Sequence, residues 1–550
     1  MTGVRRLPLP VRLGLLLAAA ILAALNPSAA QTSPAPSQVP PPAPPPQDAQ
    51  VEALFTGPVP TFDIRIESAY AARLRRAPRT DVPATVRIGA KTLSRVGVHL
   101  KGAAGSFRDF DDLPALTLDF DEFVPGQEFS GVVKLHLNNS VQDPSRLSES
   151  IASRMYLESG LPTARAGHAF VRLNGRDLGL YVMKEGYDGR FLRRHFPPQE
   201  RPLGNLYDGG FLRDIDEDLE RDTGKGPEDR SDLRQLRRAA STPVAQRAVS
   251  LGGALDVDRF LTLLAIQSLT DDWDGYARNR NNYRLYFDPK TGRAIFIPHG
   301  MDQLFNHSSV PVMPDWGGLI ARQVMEVPEW RTRYSQRLRE VAENRFTLAW
   351  VTAHIAAVEA RLNPAWADRK PEEFQEWSNE TRRQSNHIAA RIRSVRRQLG
   401  LPPDPDLPSV VRRVVQPQSL DGWIPRPQQG IARLQRTPPP QPALHLVALQ
   451  HGTSASFRTS RNLPAGSYRF EASARTVAIS ASDASPPGRG VGIRISGANR
   501  EAFLVGNNTW TPLQFNFELD EDRNVEFVIE ISADRGEAWF DLSSLKLSGR

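Results

Sequence analysis

Three carboxylates fall within four residues at Asp271, Asp272 and Asp274, and carboxamides follow at Asn279, Asn281 and Asn282. The next stretch alternates apolar residues (Tyr283, Leu285, Phe287), turns at Asp288-Pro-Lys-Thr-Gly292, resumes with Ala294 to Ile297, and ends in Pro298 and Asp302. Two short strands around a Pro/Gly turn read as a hairpin. Antiparallel pairing centred near Lys290 or Thr291 brings Asp302 back opposite Arg278 and Asn279, so carboxylates and carboxamides from both ends meet. A few hard oxygen donors, with space left for water and phosphate, are what a Mg²⁺–phosphate site requires. The same residues also describe an acidic loop that caps a helix and starts a strand, the commoner meaning of such a pattern.

The elements on either side must position these groups. Phe62, Ile64 and Ile66 alternate, as do Val96, Val98 and Leu100, then Leu116, Leu118 and Phe120, then Val133, Leu135 and Leu137. That period of two predicts strands. A helix is predicted next, with Asp143 as N-cap, Pro144 in its first turn, Leu147, Ile151 and Met155 apolar, and Gly160 as its stop. Asn174-Gly175, between two alternating segments, predicts a tight hairpin. The polar region from Tyr207 to about Arg247 reads as loop or exposed helix, and Asp256 caps an apolar helix leading to Asp271. After Phe305, helices are predicted over Gly318 to Val341, Leu348 to Leu362 and Pro371 to Leu399, their arginine-rich faces solvated. Strands followed by helices make a two-lobed α+β arrangement with a site between lobes.

Length and charge narrow the functions further. A chain of 550 residues implies two or more domains. Its net charge of +7 comes mainly from arginine, with only eight lysines, and is spread without long basic blocks. No nucleic-acid motif accompanies it, so no nucleic-acid partner is expected. The absence of cysteine excludes thiolate ligands and a cysteine nucleophile. Arg5, Arg6 and Arg12 precede the apolar run Leu13 to Leu25 and the small-residue site Ser28-Ala29-Ala30. Residues 1–30 therefore read as a signal peptide cleaved after Ala30, the protein as exported, and no later stretch as a transmembrane helix. Residues 31–58 and 401–442, rich in proline, read as linkers around a domain at 59–400. Residues 443–550 carry short alternating strands, the pattern of a β-sandwich. Trp539 and Phe540 must face opposite sides there, one in the core and the other open to a sugar or partner.

Eight segments then fall in the order of a known family: Gly97-Val-His-Leu-Lys-Gly102, Lys134-Leu-His-Leu-Asn-Asn139, Asp143-Pro-Ser145 with Glu149, Val171-Arg-Leu-Asn-Gly175, Gly179-Leu-Tyr-Val-Met-Lys-Glu185, Gly204-Asn-Leu-Tyr207, Asn282-Tyr-Arg-Leu-Tyr286 and Ile297-Pro-His-Gly-Met-Asp302. Over roughly Val59 to Leu399 the chain resembles the CotH kinase-like (spore-coat protein H) family. The resemblance implies a two-lobed atypical protein-kinase fold that binds ATP with Mg²⁺ or Mn²⁺ and phosphorylates Ser/Thr of secreted or envelope proteins. In such chemistry one Asp orients the attacking hydroxyl, while an Asn and a second Asp hold metal on the phosphates. By that resemblance Asp302 is the metal-binding carboxylate and Asp274 the base or a metal-proximal carboxylate. Asn279, five residues after Asp274, and Asn282 are rival metal ligands. A lysine paired with a helix carboxylate clamps the nucleotide; Lys101 and Lys134 are the candidates, with Glu149 and Glu185 as partners.

The chain also departs from the family pattern. Leu113 precedes Pro114 where relatives often carry lysine, and His299 and Gly300 replace a tryptophan and the first Asp before the final metal Asp. These departures support an alternative, a non-catalytic cell-surface scaffold with a degenerate kinase-like domain; a metal-dependent hydrolase is a third reading. The C-terminal part resembles carbohydrate-binding jelly rolls through Pro464-Ala-Gly-Ser-Tyr468-Arg-Phe470 and Gly536-Glu-Ala-Trp-Phe-Asp541. That implies a polysaccharide partner for 443–550.

Overall fold

The structure, a computed structural model, describes residues 46–103, 105–196, 202–366, 369–408, 416–438, 440–480, 490–498, 500, 502–519 and 522–549. Residues 1–30, read as a signal peptide, and 31–45 of the first linker lie outside the described residues. Most of the remainder of that linker is helical, over Pro46–Thr56. The described residues beyond Pro46 belong to a single compact unit, Gln47–Arg550.

Seven strands close into a barrel: β1 (Thr61–Arg65), β2 (Val82–Ile88), β3 (Lys91–Lys101), β4 (Ala115–Asp119), β5 (Lys134–Asn138), β6 (Ala166–Leu173) and β7 (Arg176–Glu185). Their order is β1-β2-β3-β4-β5-β7-β6, and the parallel β1–β6 pair closes the ring. Alternation sends Phe62, Val86, Val98, Leu116, Leu135 and Met183 into the core and leaves a second row outside. In that outer row His99, Thr117, His136 and Lys184 stand side by side across four strands. Asn174 (φ 49°) and Gly175 (φ 82°) form the expected tight turn, and the Asn174 side-chain Oδ1 accepts from the Ile66 N–H at 2.7 Å.

The inserted helix runs from Ser148–Glu158, starting later than its sequence signals placed it. The N-cap is therefore Leu147 rather than Asp143, whose side chain accepts from the Ser148 N–H at 2.9 Å from outside the helix, and Pro144 lies ahead of the first turn. Gly160, at φ 76°, ends it. The region read as loop or exposed helix contributes β8 (Leu206–Asp208) and β9 (Glu220–Thr223), then helices Ser231–Ala240 and Val244–Ala254. Leu233, Leu236 and Leu251 bury them, a helical spacing that the many charges between had hidden.

The hairpin forms as expected: β10 (Tyr283–Asp288) pairs with β11 (Arg293–Pro298), Tyr283 opposite Pro298 and Asp288 opposite Arg293. It sits in a four-stranded sheet ordered β11-β10-β8-β9. This sheet and the helices share one apolar core, in which Phe260, Leu264, Tyr283, Phe296 and Tyr334 are buried. Asp256 caps the helix Val257–Leu269 through the Arg259 N–H at 3.1 Å. The helix expected over Gly318 to Val341 is two, Leu319–Glu326 and Pro328–Asn344. Pro328 disfavours helical geometry at Val327 and lacks an N–H, so the break falls there.

Beyond the long helix Pro371–Gln398, a seven-stranded and a four-stranded antiparallel sheet share a second core. Part of the stretch read as a linker at 401–442 belongs to these sheets. Ile424–Gln429 pairs with Thr453–Leu463, and Ala432–Arg436 with Ala443–Ala448. Proline suppressed the strand pattern there, yet edge strands tolerate it. Phe540 is the core residue of its pair. Trp539 faces out between two cross-strand neighbours, His445 stacked at 4.4 Å and Arg475 at 4.3 Å. The chain is a mixed α/β protein.

Candidate functional site

β7 and the Ser148–Glu158 helix supply the centre of the site. Lys184 and Glu149, both buried, form an ion pair, and Lys184 Nζ donates to His299 Nδ1 at 3.3 Å. Burial opposes the ammonium charge, but Glu149, Tyr187 and Asp302 outweigh it and hold the Lys184 pKa above the ordinary lysine value. Glu149 Oε2 is buried with no hydrogen-bond partner. Lys101 Nζ donates to Asn138 Oδ1 at 2.6 Å. Burial and the Lys184 charge lower its pKa to about 8, against the pull of Glu149 and Asp302. His136 and His299 are held neutral by burial among Lys101, Lys184 and Arg284.

Asp302 follows β11 and faces the same groups. Burial and the nearby Glu149 carboxylate push its pKa up to about 7, with Lys101 opposing. A second group lies beside it. Asp274 accepts from Asn279 Nδ2 at 2.7 Å on one oxygen, and from Asn281 at 3.1 Å and Asn282 at 2.9 Å on the other. Both rival asparagines therefore hold the same carboxylate. Asn282, at φ 52°, accepts the His299 N–H on its carbonyl at 2.9 Å. Its side chain lies against Gly300 (φ 54°), where a Cβ would come within 2.4 Å of Asn282 Oδ1. Gly300 thus lets Asn282 approach the segment carrying Asp302.

Asp272 links the two groups. It is buried, accepts from Gln267 Nε2 at 3.1 Å, and has its pKa raised to about 8 by burial, Asp274, Asp271 and Glu149. Asp271 does a different job: fully buried, it binds Arg278 at 3.0 Å and the His307 N–H at 2.9 Å, fastening the loop.

The structure thus brings together Lys101, Glu149 and Asp302, with Asp274, Asn279 and Asn282 adjacent. It does not bring in two of the proposed nucleotide contacts. Lys134 pairs with Asp119, its register partner, at 2.9 Å. Glu185 points to the other face of β7, where Arg194 and Arg165 bind it. The lysine that pairs with Glu149 is Lys184, which sequence reasoning passed over in favour of its neighbour. The signal lay in the run Gly179 to Glu185: Lys184, not Glu185, shares the parity of the outer row.

Among the described residues no three His, Asp or Glu side chains close on a metal by themselves. The unpartnered Glu149 oxygen and the electrostatically crowded Asp302 fit a cation whose remaining ligands come from water and phosphate.

A family model described as CotH kinase protein matches residues 98–395. The chain belongs to that family. The inner spore coat protein H of Bacillus subtilis (strain 168) is 24% identical over 311 residues, 52% of this chain and 80% of that protein. Invasin CotH7 of Rhizopus delemar is 22% identical over 249 residues, 40% of this chain and 41% of that protein. The solved structure of the Helicobacter pylori proinflammatory kinase CtkA aligns with 52% of this chain and 94% of that one, at 8% identity and a TM-score of 0.24, too low to bear on the fold. No helix among the described residues is long and apolar enough to cross a membrane.

Proposed function

We propose that the chain is an exported, two-lobed protein kinase that transfers the γ-phosphoryl group of ATP, with Mg²⁺ or Mn²⁺, to Ser/Thr hydroxyls of secreted or envelope proteins. The observation that carries this reading is the buried Lys184–Glu149 pair set beside Lys101 and Asp302. A lysine held by a helix carboxylate is the clamp that positions nucleotide phosphates, and positioning with charge neutralisation is most of what phosphoryl transfer asks of a protein. Lys101, its pKa lowered to about 8 by burial and the Lys184 charge, gains charge stabilisation when phosphate arrives. Asp302 and Asn282 are the residues that hold the metal, which neutralises phosphate charge when bound. Asp274, fixed by its carboxamides, orients the attacking hydroxyl.

The test is incubation of the mature chain with labelled ATP and Mn²⁺ beside Asp302→Ala. Label on protein in the first and not the second is expected; no label, and no nucleotide-dependent rise in unfolding temperature, would remove the reading.

Gly300 favours a second reading. Its left-handed φ and the closeness of Asn282 leave no room for the acid that the family pattern carries there, which thins the metal site toward a non-catalytic scaffold that binds polysaccharide through a C-terminal jelly roll. His445 stacks on Trp539 and Arg475 lies 4.3 Å from it, whereas Trp510 is exposed and meets the same arginine only at 6.0 Å, so Trp510 is the better sugar platform. Retention on polysaccharide that depends on Trp510 and ignores Asp302 would favour this reading.

A further inference from the structure

A cavity of about 600 Å³ opens on another face of the helix that carries Glu149. Ser150, Ser153 and Leu157 share that face at helical spacing, while Glu149 turns toward Lys184. The other walls are the Pro46–Thr56 helix, β6 and the helix Leu348–Trp366. Most of the lining is apolar, with Phe55, Leu157 and Val358 prominent.

Its cations are unequally satisfied. Arg154 pairs with Glu158 at 2.7 Å. Arg165 pairs with Glu52 at 2.7 Å through Nε, but its Nη1 is buried without a hydrogen-bond acceptor, 3.6 Å from Glu185. Arg361 goes further: Nε donates to the Gly57 carbonyl at 2.8 Å, Nη2 is buried with no acceptor, and no carboxylate pairs with it among the described residues. Leaving a buried charged donor unsatisfied is costly. An oxyanion meets guanidinium donors with charge-assisted bonds, and an apolar body suits the remaining walls.

We propose that this cavity binds a small amphipathic oxyanion, a carboxylate or phosphate on an apolar body, and that its occupancy is coupled to the Lys184–Glu149 pair. Neither member of the pair lines the cavity, but each is one step from a residue that does. Glu149 shares its helix with Ser150 and Ser153, and Lys184 lies opposite Ala166 in the β6–β7 ladder. A ligand that orders these walls therefore orders the pair, and the coupling is reciprocal.

The test uses the full mature chain with decanoate, decyl phosphate, decanol and inorganic phosphate, each below micelle-forming concentrations. At least one of the two amphipathic anions raises the unfolding temperature, decanol and inorganic phosphate at equal concentration do not, and the larger response identifies the head group. Arg361→Gln weakens that binding at least tenfold. Ala357→Trp, an exposed wall position, blocks it without disturbing the core. Hydrogen exchange in Ser148–Glu158 slows with the anion bound. An equal response to decanol, no response to either anion, or undiminished binding in Arg361→Gln overturns the site; unchanged exchange overturns the coupling. The effect on nucleotide affinity alone rests on the kinase reading. A chain that binds the anion but never nucleotide would refute that reading and leave the site standing.

Discussion

Lys184 and Glu185 are neighbours on one strand, both buried and both ion-paired, yet they serve opposite ends. Glu185 is the better held: Arg194 and Arg165 flank it and the Arg165 N–H adds a bond at 3.3 Å, charges that oppose the rise in its pKa on burial. The Lys184 face is left short. Glu149 keeps one oxygen without a donor, Lys101 is pushed down to about 8, and Asp302 is pushed up to about 7. A buried charge cluster whose needs are met holds structure together. One whose groups are driven toward neutrality is waiting for a charged ligand to complete it. The difference is one step of strand alternation.

The sharpest way to break this contrast is Lys184→Met. Phosphoryl transfer should fall by about 10³-fold, and stability by about 3–5 kcal/mol, because Glu149 is left buried and unpaired. Adding Glu149→Leu should restore most of that stability, since an apolar pair of similar volume replaces a buried ion pair at little cost, without restoring transfer. Recovery of transfer by the double variant, measured with labelled ATP, would reduce the pair to a structural one. Asp302→Asn separates the effects from the other side. Transfer should drop by about 10²–10⁴-fold, while chemical denaturation reports unchanged or higher stability, because the lost carboxylate is disfavoured in the folded chain. On the far face, Glu185→Gln should do the reverse. About 3 kcal/mol of stability goes as two arginines lose their charge partner, and transfer at a temperature where the variant stays folded is little changed. A large loss of transfer there would erase the distinction between the faces.

How much of this was legible depends on the range of each signal. Local chemistry was readable: Asn174-Gly175 set a hairpin, Asp256 capped its helix, and the turn after Asp288 fixed the β10–β11 register that sets His299 and Gly300 against Asn282. Pairing partners far apart in sequence were not. Lys184 and Glu149 meet across 35 residues, and nothing local separates Lys184 from Lys101 or Lys134. Only the barrel's register puts Lys184 in the row of His136 and Lys134 against Asp119. The closed barrel itself depends on the parallel β1–β6 contact, a long-range pairing that alternation cannot encode. The strands hidden in 401–442 were lost to their prolines, and the charges of Ser231–Ala240 left its helix legible only as an exposed one, although Leu233 and Leu236 bury it.

The smallest expected effect tests the crowding of the front face directly. An unfolded Lys101 ionises at the ordinary lysine value of 10.5, whereas the folded side chain, buried beside Lys184, does so at about 8. Below pH 8 both states carry the proton and the full electrostatic penalty falls on the folded chain. Between about 8 and 10.5 the unfolded chain binds a proton that the native chain has released, so this group's contribution to stability rises with pH across that window. Lys101→Gln removes the rise. Urea denaturation of both chains from pH 7 to pH 10.5 should therefore show the native protein gaining on the variant only above about 8. Parallel curves would mean that Lys184 does not press on Lys101, and with that the electrostatic shortfall separating the two faces of β7 would lose one of its supports.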